Sequence, residues 1–507
     1  MYRLLVVSFF ISFIISCKET PEQIAMIDYK PAYHFSPDSN WMNDPNGLVF
    51  HNGEYHLFYQ YNPFGNKWGH MSWAHAVSKD LLHWKGLPIA LYEEKNTKDS
   101  DTTMIFSGSA VIDSNNTSGL GINGKGPMVA IYTSHVHNNL LPVAQHQSIA
   151  YSNDNGVTWT RYAGNPVLDI KSIEFRDPKV FWYTPQQKWV MVVSKPDEHE
   201  TWFYQSKNLK EWSFMSKWGK SGDTARVWEC PDLIELPVVG TNETKWILFS
   251  SAGHPQKPYV GMQYFVGDFD GTKFSPDHEF KEPVYLDFGK DFYAAVSYNN
   301  APNNRKIIVG WLNNWEYAND IPTGDKWRGA YAVPRELSIV KDEKGYRLIQ
   351  KPVSEFDAAR KEVFSLSNKN VDSTFDLTYK GDSYELELTI DPGKAKNAGV
   401  RVLKSEGEST IIKYDVGLNQ LSLDRTHSGN VSFNPKFPSI EKATVILKNG
   451  MLHLRILVDK SVVEIFANGG ETTITDLVFP TKQMGLIQLF SEGGNATFKE
   501  VKVYTIQ

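Results

Sequence analysis

Ser78-Lys-Asp-Leu-Leu-His-Trp84 returns, with its turn residues exchanged, as Ser206-Lys-Asn-Leu-Lys-Glu-Trp212. Between the two lies Ser152-Asn-Asp-Asn-Gly-Val-Thr-Trp159, where a serine again leads through a turn to a tryptophan. Gly267-Asp-Phe-Asp-Gly-Thr-Lys-Phe274 is a weaker fourth copy. The closing aromatics stand 75, 53 and 62 residues apart. One four-stranded propeller blade takes roughly 40–60 residues, and loops lengthen it. Unrelated hairpins would not repeat the serine-to-tryptophan logic. Pro334-Arg-Glu-Leu337 leaves room for a fifth unit, so residues 28–340 are expected to form a five-bladed β-propeller.

The rest of the chain agrees with an all-β fold. Apolar residues alternate with period two, and no long stretch has the 3.6 period of an amphipathic helix. Asn52-Gly53 and Asn449-Gly450 each sit between strand-like runs, the strongest short signal for a type I′ hairpin. Lys341-Asp-Glu-Lys-Gly is charged and turn-like, and a polar, helix-compatible passage follows at Ser354 to Lys361. Residues 341–361 are therefore expected to be a linker. Beyond it, runs such as Tyr384-Glu-Leu-Glu-Leu-Thr-Ile alternate as strands with one buried face, so a C-terminal β-sandwich is expected over 362–507.

Composition narrows the partners. A net charge of −6 without a long basic run excludes a nucleic-acid binder. The 15 Trp, 24 Tyr and 28 Phe suit β packing and also the stacking of sugar faces on rings. At the N-terminus, Arg3 precedes Leu4 to Ser16, 13 residues without charge and too short to span a membrane comfortably. The stretch ends Ile14-Ile15-Ser16-Cys17 and then turns polar, which resembles a bacterial lipobox. Residues 1–17 are expected to be a lipoprotein signal ending at Cys17, the lipidated residue. The product is then expected to be an exported bacterial lipoprotein held at a membrane, periplasmic or cell-surface, by acyl chains. Cys230 is then left without a disulfide partner. The 14 His show no paired ligand spacing, so no metal and no cofactor is expected, and the chain is expected to be a monomer.

Chemistry is suggested by acids at strand openings. Trp41-Met-Asn-Asp-Pro-Asn-Gly47 places Asp44 before a proline and an apolar run. Phe175-Arg-Asp-Pro178 does the same for Asp177, and Glu229-Cys-Pro-Asp232 sets Glu229 just before Cys-Pro. Residues before proline are biased to extended backbone. Each acid should therefore sit in an extended opening to an inner strand, and the inner strands of a propeller all open on one funnel. Three converging carboxylates repel, so at least one should hold its proton above the ordinary range. One ionised and one protonated carboxyl is the pair that glycoside hydrolysis uses. Phe106-Ser-Gly-Ser109 and Asp291-Phe-Tyr-Ala294 open strands in the other two units.

These three acid motifs, in this order, resemble glycoside hydrolase family 32, the family of invertases, levanases and inulinases. The resemblance extends through Gln60-Tyr-Asn-Pro63, Trp68-Gly-His70, Gly310-Trp-Leu-Asn-Asn-Trp315 and Ser461-Val-Val-Glu-Ile-Phe-Ala-Asn468, over nearly the whole chain after the signal. It implies a propeller plus sandwich and an exo-acting, retaining enzyme that releases terminal β-D-fructofuranosyl units from levan, inulin, their oligosaccharides and sucrose. Asp44 would be the nucleophile, Glu229 the acid/base, protonated at rest, and Asp177 the stabiliser of the transition state. A retaining mechanism expects Asp44 and Glu229 to lie about 5–5.5 Å apart. Asn43, Gln60, Ser107 and Arg176 would bind the sugar or orient the acids, with Arg176 also keeping Asp177 ionised. Trp41, Trp68, Phe106, Tyr293 and Trp315 would form an apolar wall. Cys230 reads as a packing or tuning residue, and Trp84 and Trp212 as core. A fructosyltransferase with the same triad and a non-catalytic sugar-binding propeller are the alternatives; Ser152 to Trp159 also resembles a single sialidase-type turn.

Overall fold

The computed structural model describes residues 27–95, 101–253, 260–343 and 345–507. The expected signal segment and Cys17 lie outside the described residues. Five sheets, antiparallel but for one edge pairing, follow one another along the first part of the chain, and two six-stranded sheets face each other in the second. The inner strands of the five blades are Asn40–His51, Thr102–Ile112, Arg176–Tyr183, Trp228–Pro237 and Tyr293–Ser297. The ring closes between the first and fifth blades. Trp327–Arg328 lies parallel to Asn40 and Trp41, and Asn299 exchanges backbone hydrogen bonds with Leu48 and Phe50.

The repeated heptads are one structural device. Each is the turn from the third to the fourth strand of its blade: Ser78 ends Ser72–Ser78 and Trp84 begins Trp84–Leu91. Asp80 Oδ1 accepts from the backbone N–H of Leu82 and His83 at 3.0 and 2.8 Å. Asn208 Oδ1 does the same for Lys210 and Glu211 at 3.0 and 2.9 Å, and Asp270 Oδ1 for Thr272 and Lys273 at 2.8 and 2.9 Å. A short acceptor side chain that satisfies the backbone two and three residues on is the Asx-turn preference. The residue after each acceptor turns left-handed, with φ of 63° at Leu81, 62° at Leu209 and 91° at Gly271. The tryptophans finish the turn: Trp159 Nε1 donates to Gly156 O and Trp212 Nε1 to Leu209 O. Both Asn-Gly signals are also hairpin turns with two positive φ values, 49° and 83° at Asn52-Gly53 and 51° and 78° at Asn449-Gly450.

The fifth blade runs further than expected. Arg335–Asp342 and Gly345–Pro352 pair in register from Arg335↔Pro352 to Asp342↔Gly345. Most of the expected linker 341–361 is therefore the last turn and outer strand of that blade. Charged turn residues look alike in a linker and in a hairpin, and only the pairing distinguishes them. A short helix, Ser354–Ala359, leads into the first sandwich strand, Arg360–Val371. The two sandwich sheets enclose an aliphatic core that includes Leu386, Val400, Ile456 and Val501. The inner part of the sandwich docks on blades four and five through a shared cluster containing Leu286, Ile339, Val462, Leu477 and Phe479.

Candidate active site

All five inner strands lose register where they open on the funnel. The slips fall between Met42 and Pro45, Ile105 and Gly108, Arg176 and Lys179, Glu229 and Asp232, and Tyr293 and Val296. A bulge leaves residues unpaired and re-aims their side chains. The three acids use different steps of it: Glu229 is the last paired residue, Asp177 the first within the slip and Asp44 the second. Asp177 has φ of 65° and Cys230 φ of 47°. The extended conformation expected before proline is thus overturned at Asp177, and Cys230 before Pro231 departs in the same way. The bulge, held by tertiary hydrogen bonds, outweighs the local proline preference. For Asp177 those bonds include its own N–H to Thr133 Oγ1 at 2.9 Å and its Oδ2 accepting from the Cys230 N–H at 3.0 Å.

Asp44 is buried and held on both oxygens. Ser107 Oγ donates to Oδ2 at 2.6 Å and Asn43 Nδ2 to Oδ1 at 3.1 Å. Asn43 is fixed in turn by Trp41 Nε1 at 2.8 Å and by the Tyr331 hydroxyl on its carbonyl at 2.8 Å. Gly47 closes the turn with φ of 56°, and a Cβ there would stand 2.5 Å from the Phe58 ring. Glu229 is less enclosed. Arg176 donates through Nε and Nη2 to Oε1 at 3.1 and 2.9 Å, and the Tyr293 hydroxyl donates to Oε2 at 2.7 Å. The other arm of Arg176 bonds Glu174.

The electrostatics follow from three acids sharing one arginine. Burial pushes the Asp44 carboxyl up; the Ser107 hydroxyl pulls it back, and the Glu229 charge adds to the rise. Burial likewise raises Asp177, to about 7, with Arg176 opposing and the Glu229 and Asp44 charges adding. Arg176 therefore does not keep Asp177 in the ordinary carboxylate range: its pull is outweighed by burial together with the Glu229 and Asp44 charges. Burial and the neighbouring carboxylates also raise the Cys230 thiol well above its usual value. Protonated, its Sγ lies 3.5 Å from Asp44 Oδ2 and 3.7 Å from Asp177 Oδ2 as a weak donor.

The three acids open on a cavity of about 500 Å³, whose lining also includes Asn43, Gln60, Trp68, Phe106, Ser107, Arg176 and Trp315. Two residues expected in the wall stand behind it. Trp41 is fully buried and stacks under Trp315 with ring centres 6.2 Å apart, and Tyr293 is buried and reaches the site through Glu229. Their side chains point from the paired parts of the strands, a matter of register that the motif does not reveal. Four lining residues were not expected: His135, Gln145, Glu174 and Asn319. His135 and Gln145 face each other across the second-blade hairpin, Gln145 Nε2 to His135 Nδ1 at 3.0 Å, and His135 stacks on Phe106 at 4.2 Å. No acid marks that hairpin, and its proline, Pro142, pairs with His137 near the turn and is adjacent in sequence to neither residue. Glu174, two residues before Arg176, could have been found as a partner for the arginine.

Buried carboxylates under an aromatic wall at a propeller mouth define a carbohydrate-cleaving site. The models for the N-terminal domain and the C-terminal region of glycosyl hydrolases family 32 match residues 34–352 and 355–505. The chain belongs to this family and is a glycosidase. It is 46% identical over 494 residues to a levanase of Bacillus subtilis (strain 168), spanning 95% of this chain and 71% of the relative. It is 41% identical over 514 residues to an extracellular exo-inulinase of Aspergillus awamori, 94% of each chain. The crystal structure of exo-inulinase from Aspergillus awamori superposes with a TM-score of 0.90 at 40% identity, covering 95% of this chain and 99% of that one. A β-fructofuranosidase from Schwanniomyces occidentalis, complexed with fructosyl-erythritol, gives 0.84 at 31% identity over 95% and 99%.

Proposed function

We propose that the enzyme removes terminal β-D-fructofuranosyl units from levan, inulin and sucrose by a retaining double displacement. The observation that carries the reading is the contrast between Asp44, buried and held by donors on both oxygens, and the more open Glu229. A nucleophile needs a fixed position, whereas an acid/base must exchange its proton with an incoming water. In the first step an Asp44 oxygen attacks the anomeric C2, the C2–O bond to the leaving sugar breaks, and that oxygen takes the proton of Glu229. In the second, water gives a proton to Glu229 and attacks C2, which frees Asp44 and releases fructose. Arg176 and the Tyr293 hydroxyl stabilise the Glu229 carboxylate between the steps. Asp177 accepts hydrogen bonds from ring hydroxyls as positive charge develops at C2. Asn43, Gln60 and Ser107 orient the sugar, and Trp68, Phe106 and Trp315 cover its apolar face.

The names of the levanase and the exo-inulinase support the substrate class. The test is to incubate the protein with levan, inulin and sucrose beside Glu229→Gln and to analyse the products. Free fructose from the parent, and little from the variant, is expected. Undiminished release by the variant would sink the assignment, and longer oligosaccharides in place of fructose at high sucrose would make the enzyme a transferase. An exported lipoprotein anchored through Cys17 is part of the same reading, supported by the uncharged Leu4 to Ser16 stretch ending at that cysteine. Radiolabelled fatty acid should enter the parent and not Cys17→Ala.

A further inference from the structure

The cavity wall is not built by the propeller alone. Trp315 and Asn319 line it from the long passage 313–323 of the fifth blade. That passage is gripped by the sandwich. Arg425, fully buried, donates through Nη2 to the Tyr317 hydroxyl at 2.7 Å and through Nη1 to Asp291 Oδ2 at 2.5 Å. Asp291 Oδ1 in turn accepts from Tyr317 OH at 2.6 Å and Asn314 Nδ2 at 3.1 Å. Nearer the surface, Asn434 Nδ2 donates to Asp320 Oδ2 at 2.8 Å and Lys436 Nζ to Glu316 Oε1 at 3.1 Å. Phe437 packs edge-on against Tyr317 at 5.3 Å. Every residue from Asn314 to Asp320 whose side chain points away from the cavity thus finds a sandwich partner or the Asp291 carboxylate, apart from Ala318.

The passage hands the constraint on. Asn319 Oδ1 accepts from the backbone N–H of Trp68 at 3.1 Å, and its carbonyl accepts from Lys67 Nζ. Asn66 Nδ2 donates to Gly324 O at 3.1 Å. Trp68 is the other exposed tryptophan of the wall and lies edge-on to Phe106 at 6.3 Å. Exposed aromatics on loops hold one orientation only when the loop is over-determined from behind.

We propose that the C-terminal sandwich positions the outer aromatic wall of the sugar site, with Arg425, Asn434 and Lys436 as positioning residues acting through the passage 313–323 on Trp315, Asn319 and Trp68. None of the three reaches the cavity. Trp315 and Trp68 stand at its rim, so loosening them weakens binding of ground state and transition state together, which raises KM and spares kcat. The proposal rests on the glycosidase reading for its kinetic arm, and hydrogen exchange supplies an arm that needs no turnover.

The experiment compares the full-length parent with Asn434→Ala/Lys436→Ala, two surface changes chosen to leave the buried network intact, and with Arg425→Lys and Arg425→Met. KM for sucrose should rise about threefold in the double variant with kcat within about twofold, and more in Arg425→Met, with partial rescue by Arg425→Lys. In a Trp315→Ala background the added double substitution should raise KM no further, since coupled residues are not additive. Amide exchange should quicken in peptides covering 64–70 as well as 313–323. An unchanged KM in the double variant, the same rise in the Trp315→Ala background, or unchanged exchange at 64–70 would each overturn the proposal. If Arg425→Met does not fold, the double variant decides alone.

Discussion

Two regions of the molecule bury carboxylates, and they handle the charge in opposite ways. Where the sandwich meets the propeller, bases are set between acids. His34 lies 2.9 Å from Asp459 and 2.9 Å from Glu464, and Arg335 lies 2.8 Å from Asp287 and 2.5 Å from Glu464. Burial works to raise Asp459 and Glu464, but His34 and Arg335 outweigh it and hold both carboxyls below their usual values. In the funnel, three acids face one arginine that Glu174 also claims, and Asp44 and Asp177 are raised. Asp476 and Glu441, both beside Arg425, are exceptions: burial raises each, Arg425 opposes, and the Asp291 charge adds to the rise. A compensated network joins domains, while an uncompensated one stores the imbalance that proton transfer needs.

Breaking each region should therefore have different effects. The largest is expected from Glu229→Gln, which should lower kcat by about 10²–10⁴-fold while leaving the melting temperature near that of the parent. Glu464→Ala should do the reverse. It strands Arg335 and His34 and should cost about 3–5 kcal/mol in denaturant unfolding, with kcat of the surviving folded enzyme little changed.

The next two contrasts are in pH. Asp177 holds its proton up to about 7 in the folded protein against 3.8 ordinarily, so its contribution to stability is fully present below 3.8 and is lost as pH rises through 7. Asp177→Asn should then gain stability over the parent from pH 4 to pH 8, by a few kcal/mol at most on the order-of-magnitude scale of one pKa unit to ~1.4 kcal/mol. A gap that stays constant over that range would contradict the assignment of the proton. His34 is a smaller case of the same sign. Burial would lower it, but Asp459 and Glu464 raise it to about 9. Its contribution is fully present below 6.5 and is lost as pH rises through 9. The stability advantage of the parent over His34→Gln should shrink by about 2–3 kcal/mol between pH 6.5 and 10. Urea titrations at four pH values would measure both.

Much of the fold was legible because its signals are local. The Ser-to-Trp turns, the Asn-Gly hairpins and the acid motifs each depend on residues adjacent in the chain, whose side chains satisfy or bias their own backbone. Four of the five blades announce themselves in this way. The last blade did not, because its outer turn, Lys341-Asp-Glu-Lys-Gly, lacks the serine and tryptophan of the others. Within the site, Asp44, Asp177 and Glu229 were found by motif, but His135 and Gln145 were not: nothing in their own hairpin distinguishes a cavity wall from an ordinary strand pair.

The amino-acid sequence by itself determined the all-β architecture, the order of the units, the family and the three acids, since these rest on short-range patterns. Only the tertiary structure decided the left-handed Asp177, the retreat of Trp41 and Tyr293 behind the wall, the sharing of Arg176 between Glu229 and Glu174, and the grip of Arg425 on Tyr317. Apart from the local Glu174 contact, these require closing the ring or docking the sandwich, which brings together groups such as Arg176 and Glu229, 53 residues apart, and Arg425 and Tyr317, 108 apart. Burial and bulged register then set what a side chain touches, and local preference no longer decides.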